Sequence, residues 1–240
     1  MSWQTEYLER FYSPSRGWVN GTQEFHDLCA SAIPSGARIL EIGAGPSNRT
    51  SRFLATLGPV HGLDPDPIVK QNDALVGASL LEGDRYPFPD ASFGACVSNY
   101  CIEHIPDPEK HLAEVSRVLE PGGAYVLRTP NRWHYVSLIS SLTPHWFHEL
   151  VANRLRNLRD DDHDPYPTVY GMNTRQDVER LAAQSGMVVE QLTLVEKEPS
   201  YGMSSRLLFM TFLAYERVVN ATERAAFLRS NIFAVLRKRR

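Results

Sequence analysis

A few acidic, amide and imidazole side chains, each beside a glycine or at the end of an apolar run, are the groups in this sequence that can do chemistry. Glu41 interrupts the run Ile39-Leu40-Glu41-Ile42, two residues ahead of Gly43-Ala44-Gly45-Pro46. Glycine accepts positive φ and lets a ligand approach the backbone, so this turn reads as a ligand-bearing loop. A carboxylate beside it repels a pyrophosphate and suits a ligand carrying positive charge. The third glycine of the dinucleotide fingerprint would fall at Asn48, which leaves a pyrophosphate cradle unspecified. Asp64 follows roughly twenty residues after the turn, the separation at which an acid meets ribose hydroxyls in doubly wound sheets. One carboxylate accepts two such hydrogen bonds. In Asp64-Pro65-Asp66-Pro67 a turn role is the alternative for Asp64, and it is the role expected of Asp66.

These groups need elements to position them. Ile39 to Ile42 reads as a buried parallel strand and Thr50 to Leu57 as the helix after the turn. Val60 to Leu63 is the second strand, with Asp64 at its carboxyl end. Ser79 to Glu82 is expected as the third, followed by Gly83-Asp84. The proline-punctuated stretch Tyr86-Pro87-Phe88-Pro89-Asp90-Ala91-Ser92-Phe93 leads into Ala95 to Asn99, the fourth. After Tyr100-Cys101-Ile102-Glu103-His104 comes a helix with Leu112, Val115 and Leu119 on one face, which Pro121-Gly122-Gly123 should terminate. Ala124 to Thr129 is the fifth strand.

Upstream, residues 1–36 read as a helical preamble. Phe25, Leu28, Cys29, Ala32 and Ile33 form one amphipathic stripe, and an aromatic-rich loop runs from Phe11 to Trp18. Downstream, Val136 to Leu142 and Trp146 to Leu158 read as short helices. Thr174-Arg175-Gln176-Asp177 reads as a capping box, Met187 to Val195 as a sixth strand, Ser204 to Asn220 as a helix and Ile232 to Leu236 as a seventh strand.

The Glu-x-Gly-x-Gly turn resembles motif I of the class I S-adenosylmethionine (SAM)-dependent methyltransferases. Gly83-Asp84 with Tyr86 to Phe93 is similar to a run in that family's small-molecule, methyltransferase-11-like members. The resemblance is continuous from residue 38 to about 131 and departs once, at Gly94, where the family usually has Asp. It implies an α/β fold with a Rossmann-like seven-stranded sheet, mostly parallel, with helices on both faces and a helical cap. The last strand would be antiparallel and inserted between the fifth and sixth. A single domain over 1–240 is implied, with N-terminal helices in 1–36, a SAM-binding core in 37–131 and cap or substrate segments in 132–175 and 200–230.

The implied cofactor is SAM, leaving as S-adenosylhomocysteine. Its implied contacts are Glu41, Gly43, Ala44, Gly45, Asp64, Pro65, Gly83, Asp84, Arg85, Asn99 and Tyr100. Asp84 matches the family acid that accepts the adenine amine, and Asn99 is placed to offer its carbonyl to the cofactor ammonium. Arg16 or Tyr12 is expected to reach the cofactor carboxylate.

The implied reaction is methyl transfer to an O or N atom of a small molecule or biosynthetic intermediate. Such a displacement needs alignment, exclusion of water and sometimes a base. His104, one turn beyond the fourth strand, is the expected base; packing or a helix N-terminal position is its alternative. In phosphoethanolamine methyltransferases, to which this segment is similar, the matching His pairs with an N-terminal Tyr. Tyr12 is the first candidate for that partner and Tyr7 the second. His134, His145, His148, Trp146, Tyr166 and Tyr170 are pocket candidates by location alone. A nicotinamide-dependent oxidoreductase would want the third glycine and a phosphate-friendly turn. A non-catalytic binding protein on the same fold should have lost Glu41, Gly43, Gly45, Asp64 or Asp84.

With 240 residues, 42% hydrophobic and 22% charged, the chain suits one soluble domain with a full core. A net charge of −3 gives no electrostatic reason to expect nucleic acid as a partner. The basic run Arg237 to Arg240 reads as a solvated tail, and Arg159 to Asp164 as a solvated loop without the pattern of a metal site. Three cysteines without CxxC spacing suit reduced thiols and a cytoplasmic location. No signal peptide is expected, and no run approaches the ~18 residues of a membrane span. The expected partner is a small-molecule acceptor; a lipid-linked one would bring peripheral membrane association.

Overall fold

The computed structural model describes residues 2–142, 166–199 and 202–240. Among them, seven strands form one mixed sheet in the order β3-β2-β1-β4-β5-β7-β6. The strands are β1 (Ile39–Ile42), β2 (Val60–Asp64), β3 (Gly77–Leu80), β4 (Phe93–Asn99), β5 (Leu119–Pro130), β6 (Met187–Val195) and β7 (Asn231–Lys238). β1 is buried at every position, as a strand covered on both faces must be, whereas β3 is only half-buried at the sheet edge. This is the Rossmann-like arrangement the sequence implies, with β7 lodged between β5 and β6.

β1 pairs in parallel with β2 on one side and with β4 on the other. The chain order therefore reverses at β1, and the crevice outside the carboxyl ends of β1 and β4 is where such sheets bind ligands. The helices are α1 (Trp3–Phe11), α2 (Gly21–Ala32), α3 (Arg49–Leu57), α4 (Pro108–Val118), α5 (Tyr135–Leu142), α6 (Arg175–Gln184) and α7 (Arg206–Asn220). The helix expected over Trp146 to Leu158 and the acidic run from Arg159 to Asp164 lie outside the described residues.

Among the boundaries that differ from the sequence reading are those of β3 and β5. β3 begins at Gly77, opposite His61, and ends at Leu80, opposite Asp64, because β2 itself ends there. β5 begins at Leu119 and runs through Pro121-Gly122-Gly123, which end no helix. While β4 advances from Phe93 to Ala95, β5 advances from Leu119 to Ala124, so the Pro-Gly-Gly run is an irregularity within the ladder. A Cβ on Gly123 would lie 2.9 Å from the Glu120 carbonyl and 3.1 Å from that of Gly94. Two backbones meet there with no room for a side chain.

The chain divides into two compact units. The first comprises Met1–Glu24, Asn131–Tyr166 and Leu194–Asn231; the second comprises Phe25–Pro130, Pro167–Thr193 and Ile232–Arg240. In the first, Tyr12, Phe209 and Leu213 form a buried cluster, against which Trp3, Tyr7, Leu8, Phe11 and Trp18 pack. Edge-to-face ring contacts such as Trp3–Tyr7 and Tyr7–Phe209 order that cluster. In the second, the central strands supply the core.

The Thr174 half of the capping box forms: the Asp177 amide donates to Thr174 Oγ1 at 3.1 Å, while Asp177 Oδ2 accepts from that hydroxyl at 2.6 Å in place of the Thr174 amide. Thr174→Ala should therefore cost about 1 kcal/mol, within the range for a lost N-cap. Urea denaturation would measure it, and an unchanged midpoint would show that the cap is dispensable.

Candidate functional site

At the rim where β1 ends, the backbone turns through Gly43 at φ 73° and Gly45 at φ 54°. Gly43 faces Cys101, just past β4; a Cβ there would fall 2.6 Å from the Cys101 sulfur. The Gly45 amide donates to Asp64 Oδ2 at 2.9 Å, and the Asp66 amide donates to Asp64 Oδ1 at 2.8 Å. Asp64 thus ties the glycine loop to the end of β2, with a second lone pair remaining on each oxygen. Asp66 accepts from the Ile68 amide at 2.9 Å, the turn role expected of it.

Sequence reasoning missed two amides that brace this loop. Asn48 caps α3, its Oδ1 accepting from the Thr50 and Ser51 amides at 2.8 and 3.0 Å. Its Nδ2 reaches back to the Ala44 carbonyl at 2.9 Å. The first amides of α3, where a dinucleotide fold would bind phosphate, are therefore engaged by the protein's own side chain. Asn72, buried, donates to Ser51 Oγ at 3.0 Å and to the Gly45 carbonyl at 3.3 Å. Asn48 was the signal for this, as a capping residue ahead of a helix; Asn72 carries no sequence signal.

Glu41 is 3% exposed, and its Oε2 has no hydrogen-bond partner. Burial pushes its carboxyl up to about 7, with the Ser51 hydroxyl pulling the other way and Asp64 adding to the rise. Asn99, at the end of β4, donates from Nδ2 to Thr50 Oγ1 at 3.0 Å, while its buried Oδ1 has no partner. Two buried acceptors without partners thus lie on the adjacent strands β1 and β4, the pattern that receives a donor-rich cation. No cluster of metal-ligating side chains occurs among the described residues.

Tyr100 follows in the left-handed conformation, φ 55°, which is rare for an aromatic residue and marks a constrained site. Its ring lies 4.3 Å from the guanidinium carbon of Arg128, a buried arginine on β5 that sequence reasoning passed over. Gly83, Asp84 and Arg85 are exposed, as is Pro65, and Ala44 is buried. Asp84 Oδ2 lies 2.7 Å from Lys110 Nζ.

His104 ends a short 3-10 turn, and its Nδ1 lies 3.2 Å from the Pro167 carbonyl. A carbonyl only accepts, so the neutral ring carries its proton on Nδ1 and leaves Nε2 as the basic nitrogen. Beside it Glu103, 4% exposed, is an unforeseen member of the rim. Its backbone carbonyl accepts from Val169 and Tyr170, and its Oε2 accepts from Thr129 Oγ1 at 3.0 Å. Asn173 donates to the same threonine hydroxyl at 2.7 Å, so residues 167–173 are strapped across the exits of β4 and β5. Burial raises the Glu103 carboxyl above the ordinary value.

Tyr12 belongs to the other unit. Its hydroxyl donates to Glu216 Oε2 at 3.2 Å, and burial, then Glu216, raises its pKa far above the ordinary value. Arg16 donates to the Arg10 carbonyl at 2.8 Å. His134 is buried, pushed down to about 4 by burial, and lies 3.5 Å from Glu196, which burial pushes up to about 8. Tyr170 is buried and Tyr166 exposed, while His145, Trp146 and His148 lie outside the described residues.

Because the raised pKa of Glu41 disfavours its charged form, the contribution of this group to stability is fullest below about pH 4.5 and is lost as pH rises through 7. The full penalty is on the order of 3 kcal/mol. Glu41→Gln should remove that share of the slope in denaturation experiments between about pH 5 and 8, leaving the share due to Glu196. Parallel slopes for the two proteins would contradict the burial of an uncompensated carboxyl.

Residues 40–127 match the methyltransferase domain family. An uncharacterized methyltransferase of Mycobacterium sp. (strain JLS) is 33% identical over 102 residues, covering 39% of this chain and 39% of that one. A fatty-acid O-methyltransferase of Mycolicibacterium smegmatis is 33% identical over 121 residues, covering 47% of this chain and 44% of that protein. The chain thus spans less than half the length of these curated relatives. Among solved structures, a phosphoethanolamine N-methyltransferase of Haemonchus contortus, in complex with phosphomonomethylethanolamine and S-adenosylhomocysteine, superimposes with a TM-score of 0.54. It shares 19% identity and covers 92% of this chain and 54% of its own, a likeness of fold.

Proposed function

Since the chain belongs to the class I SAM-dependent methyltransferase family, we propose that it transfers the methyl group of SAM to an O or N atom of a small, lipid-linked acceptor. The observation that carries the cofactor reading is the pair of buried acceptors without partners, Glu41 Oε2 and Asn99 Oδ1. They suit the ammonium of SAM and offer nothing to a phosphate. Asp64 would take the ribose hydroxyls on its remaining lone pairs, Asp84 the adenine amine, and the backbone from Gly43 to Gly45 would lie along the ligand. Pro65, Gly83, Arg85 and Tyr100 would line it. When bound, SAM supplies a methyl carbon already activated by its sulfonium.

The chain's own residues then have to align the acceptor, exclude water and remove a proton where the acceptor carries one. His104 is the proposed base, acting at Nε2 because Pro167 holds the proton on Nδ1. Tyr12 is better read as a core residue of its unit than as the partner of His104, since its hydroxyl is given to Glu216. The lipid class of the acceptor is supported by the fatty-acid O-methyltransferase relative and by apolar side chains exposed in the first unit: Leu138, Ile139, Leu207, Met210, Val218 and Phe227. No described helix is long and apolar enough to cross a membrane.

The nicotinamide alternative is disfavoured because Asn48 already engages the α3 amides. Titration calorimetry should show binding of SAM and none of NADPH. Asp64→Ala should weaken SAM by about 1.5–3 kcal/mol, the contribution of hydrogen bonds to a charged group. Binding of NADPH alone would replace this reading, and binding of neither would favour a non-catalytic protein.

His104→Ala should lower turnover by about 10²-fold or more while leaving S-adenosylhomocysteine affinity intact. Labelled-methyl transfer to a panel of alkyl-chain alcohols, amines and carboxylic acids would measure this. Equal turnover of the variant would remove His104 as the base.

A further inference from the structure

Asp84, to which the reading above gives the adenine amine, sits on a stretch that belongs to no strand: β3 ends at Leu80 and β4 begins at Phe93. Its side chain is mostly exposed, as is that of Lys110, so their ion pair does little to hold it in place. A group that reads a single amine has to be held to within about 0.5 Å. The hold must come from the residues that follow.

Helix α4 supplies it. Two residues past Asp84, Tyr86 is 3% exposed, and its three polar groups all engage that helix. Its amide donates to Glu114 Oε2 at 2.8 Å, its carbonyl accepts from Arg117 Nη2 at 3.1 Å, and its hydroxyl lies 2.7 Å from His111 Nδ1. Arg117 is itself held by Glu114, at 2.8 Å through Nε and 2.6 Å through Nη2, and its Nη1 donates to the Phe88 carbonyl at 2.8 Å. The Ala91 and Ser92 amides then donate to the Arg117 and Val118 carbonyls. Lys110, Glu114 and Arg117 stand at i, i+4 and i+7, one face of the helix. The stretch from Asp84 to Ser92 is therefore fastened along that face.

The Tyr86 hydroxyl also begins a chain through the interior. His111 Nε2 lies 2.8 Å from the Tyr125 hydroxyl, which lies 2.7 Å from Ser98 Oγ. All four side chains are buried. Burial pushes His111 down to about 4, so near pH 7 its ring is neutral, one nitrogen donating and the other accepting. A buried network whose members are paired rigidifies what it joins. One end stands two residues from Asp84, and the other stands next to Asn99 on β4.

We infer that Tyr86, held by His111, Glu114 and Arg117 of α4, fixes Asp84 at a set span from Asn99 and so makes the site select adenine over other bases. The inference rests on the SAM reading above. Asp84 is the residue that touches the base, and the three α4 side chains are positioning residues that act through Tyr86.

The test is calorimetry on the full chain with S-adenosylhomocysteine and with S-inosylhomocysteine, which has a carbonyl oxygen in place of the amine. The parent protein should prefer S-adenosylhomocysteine by about 10- to 100-fold, the range for a hydrogen bond to a charged group. Glu114→Ala, which strips the Tyr86 amide and Arg117 of their shared partner, should cut that preference about tenfold by weakening S-adenosylhomocysteine alone. Glu114→Gln, which keeps an acceptor for the amide, should retain most of it. A clamp that only stabilises the fold gives a different result, a lower melting temperature in Glu114→Ala with the preference intact, and that would overturn the inference. Equal weakening of both ligands would overturn it too. If Glu114→Ala does not fold, Tyr86→Phe, which removes the His111 contact alone, takes its place with the same readings. Equal affinity of the parent for the two ligands would overturn the inference without touching the SAM reading. Binding of neither ligand by the parent would overturn the SAM reading itself.

Discussion

The absence of a side chain at Gly43 is the constraint on which the rim depends. The exits of β1 and β4 converge until only hydrogen fits against Cys101. That approach brings Glu41 and Asn99 within one small area of the sheet, and it turns the backbone so that Gly45 meets Asp64. It also crowds Cys101, a partly buried residue whose thiol is pushed up to about 12 by desolvation. Remove the close approach and the loop has no reason to present its polar atoms to a ligand.

The bracing of that loop decides what sort of ligand it suits. In a dinucleotide fold the first turn after β1 leaves helix amides open for phosphate. Here Asn48 bonds two of them, and Asn72 holds the loop carbonyls from the other side. What remains polar and unmatched is acceptor in character. Charge sign, more than the glycine pattern, separates the candidate chemistries.

The segment from β1 through α3 to Asp64 was legible because its signals are local: an apolar run, a glycine turn, a helix cap and a fixed spacing. The place of β7 was legible only through resemblance, since no periodicity tells a strand where to insert. The start of β5 misled, because Pro121-Gly122-Gly123 looks like a helix stop until the approach of Gly94 is known. Arg128 was invisible for a related reason. A basic residue in an apolar strand gives no hint of its burial until the register sets it beside Asn99. Glu103 likewise acquires meaning only when residues 167–173 return to it from far along the chain.

The position of β7 also says something about how the molecule comes into being. β6 is synthesised well before β7, yet β7 is its neighbour in the finished sheet. As the polypeptide emerges, β6 therefore has no ladder to join, and one edge of β5 stays open until residues 231–238 arrive. Contacts that link elements so distant in sequence form slowly, and an unpaired edge is a template for the wrong strand. The nascent chain thus passes through a stage with an adhesive β5 edge. Because β7 pairs with both, neither β6 nor that edge of β5 can complete its ladder before residues 231–238 are available.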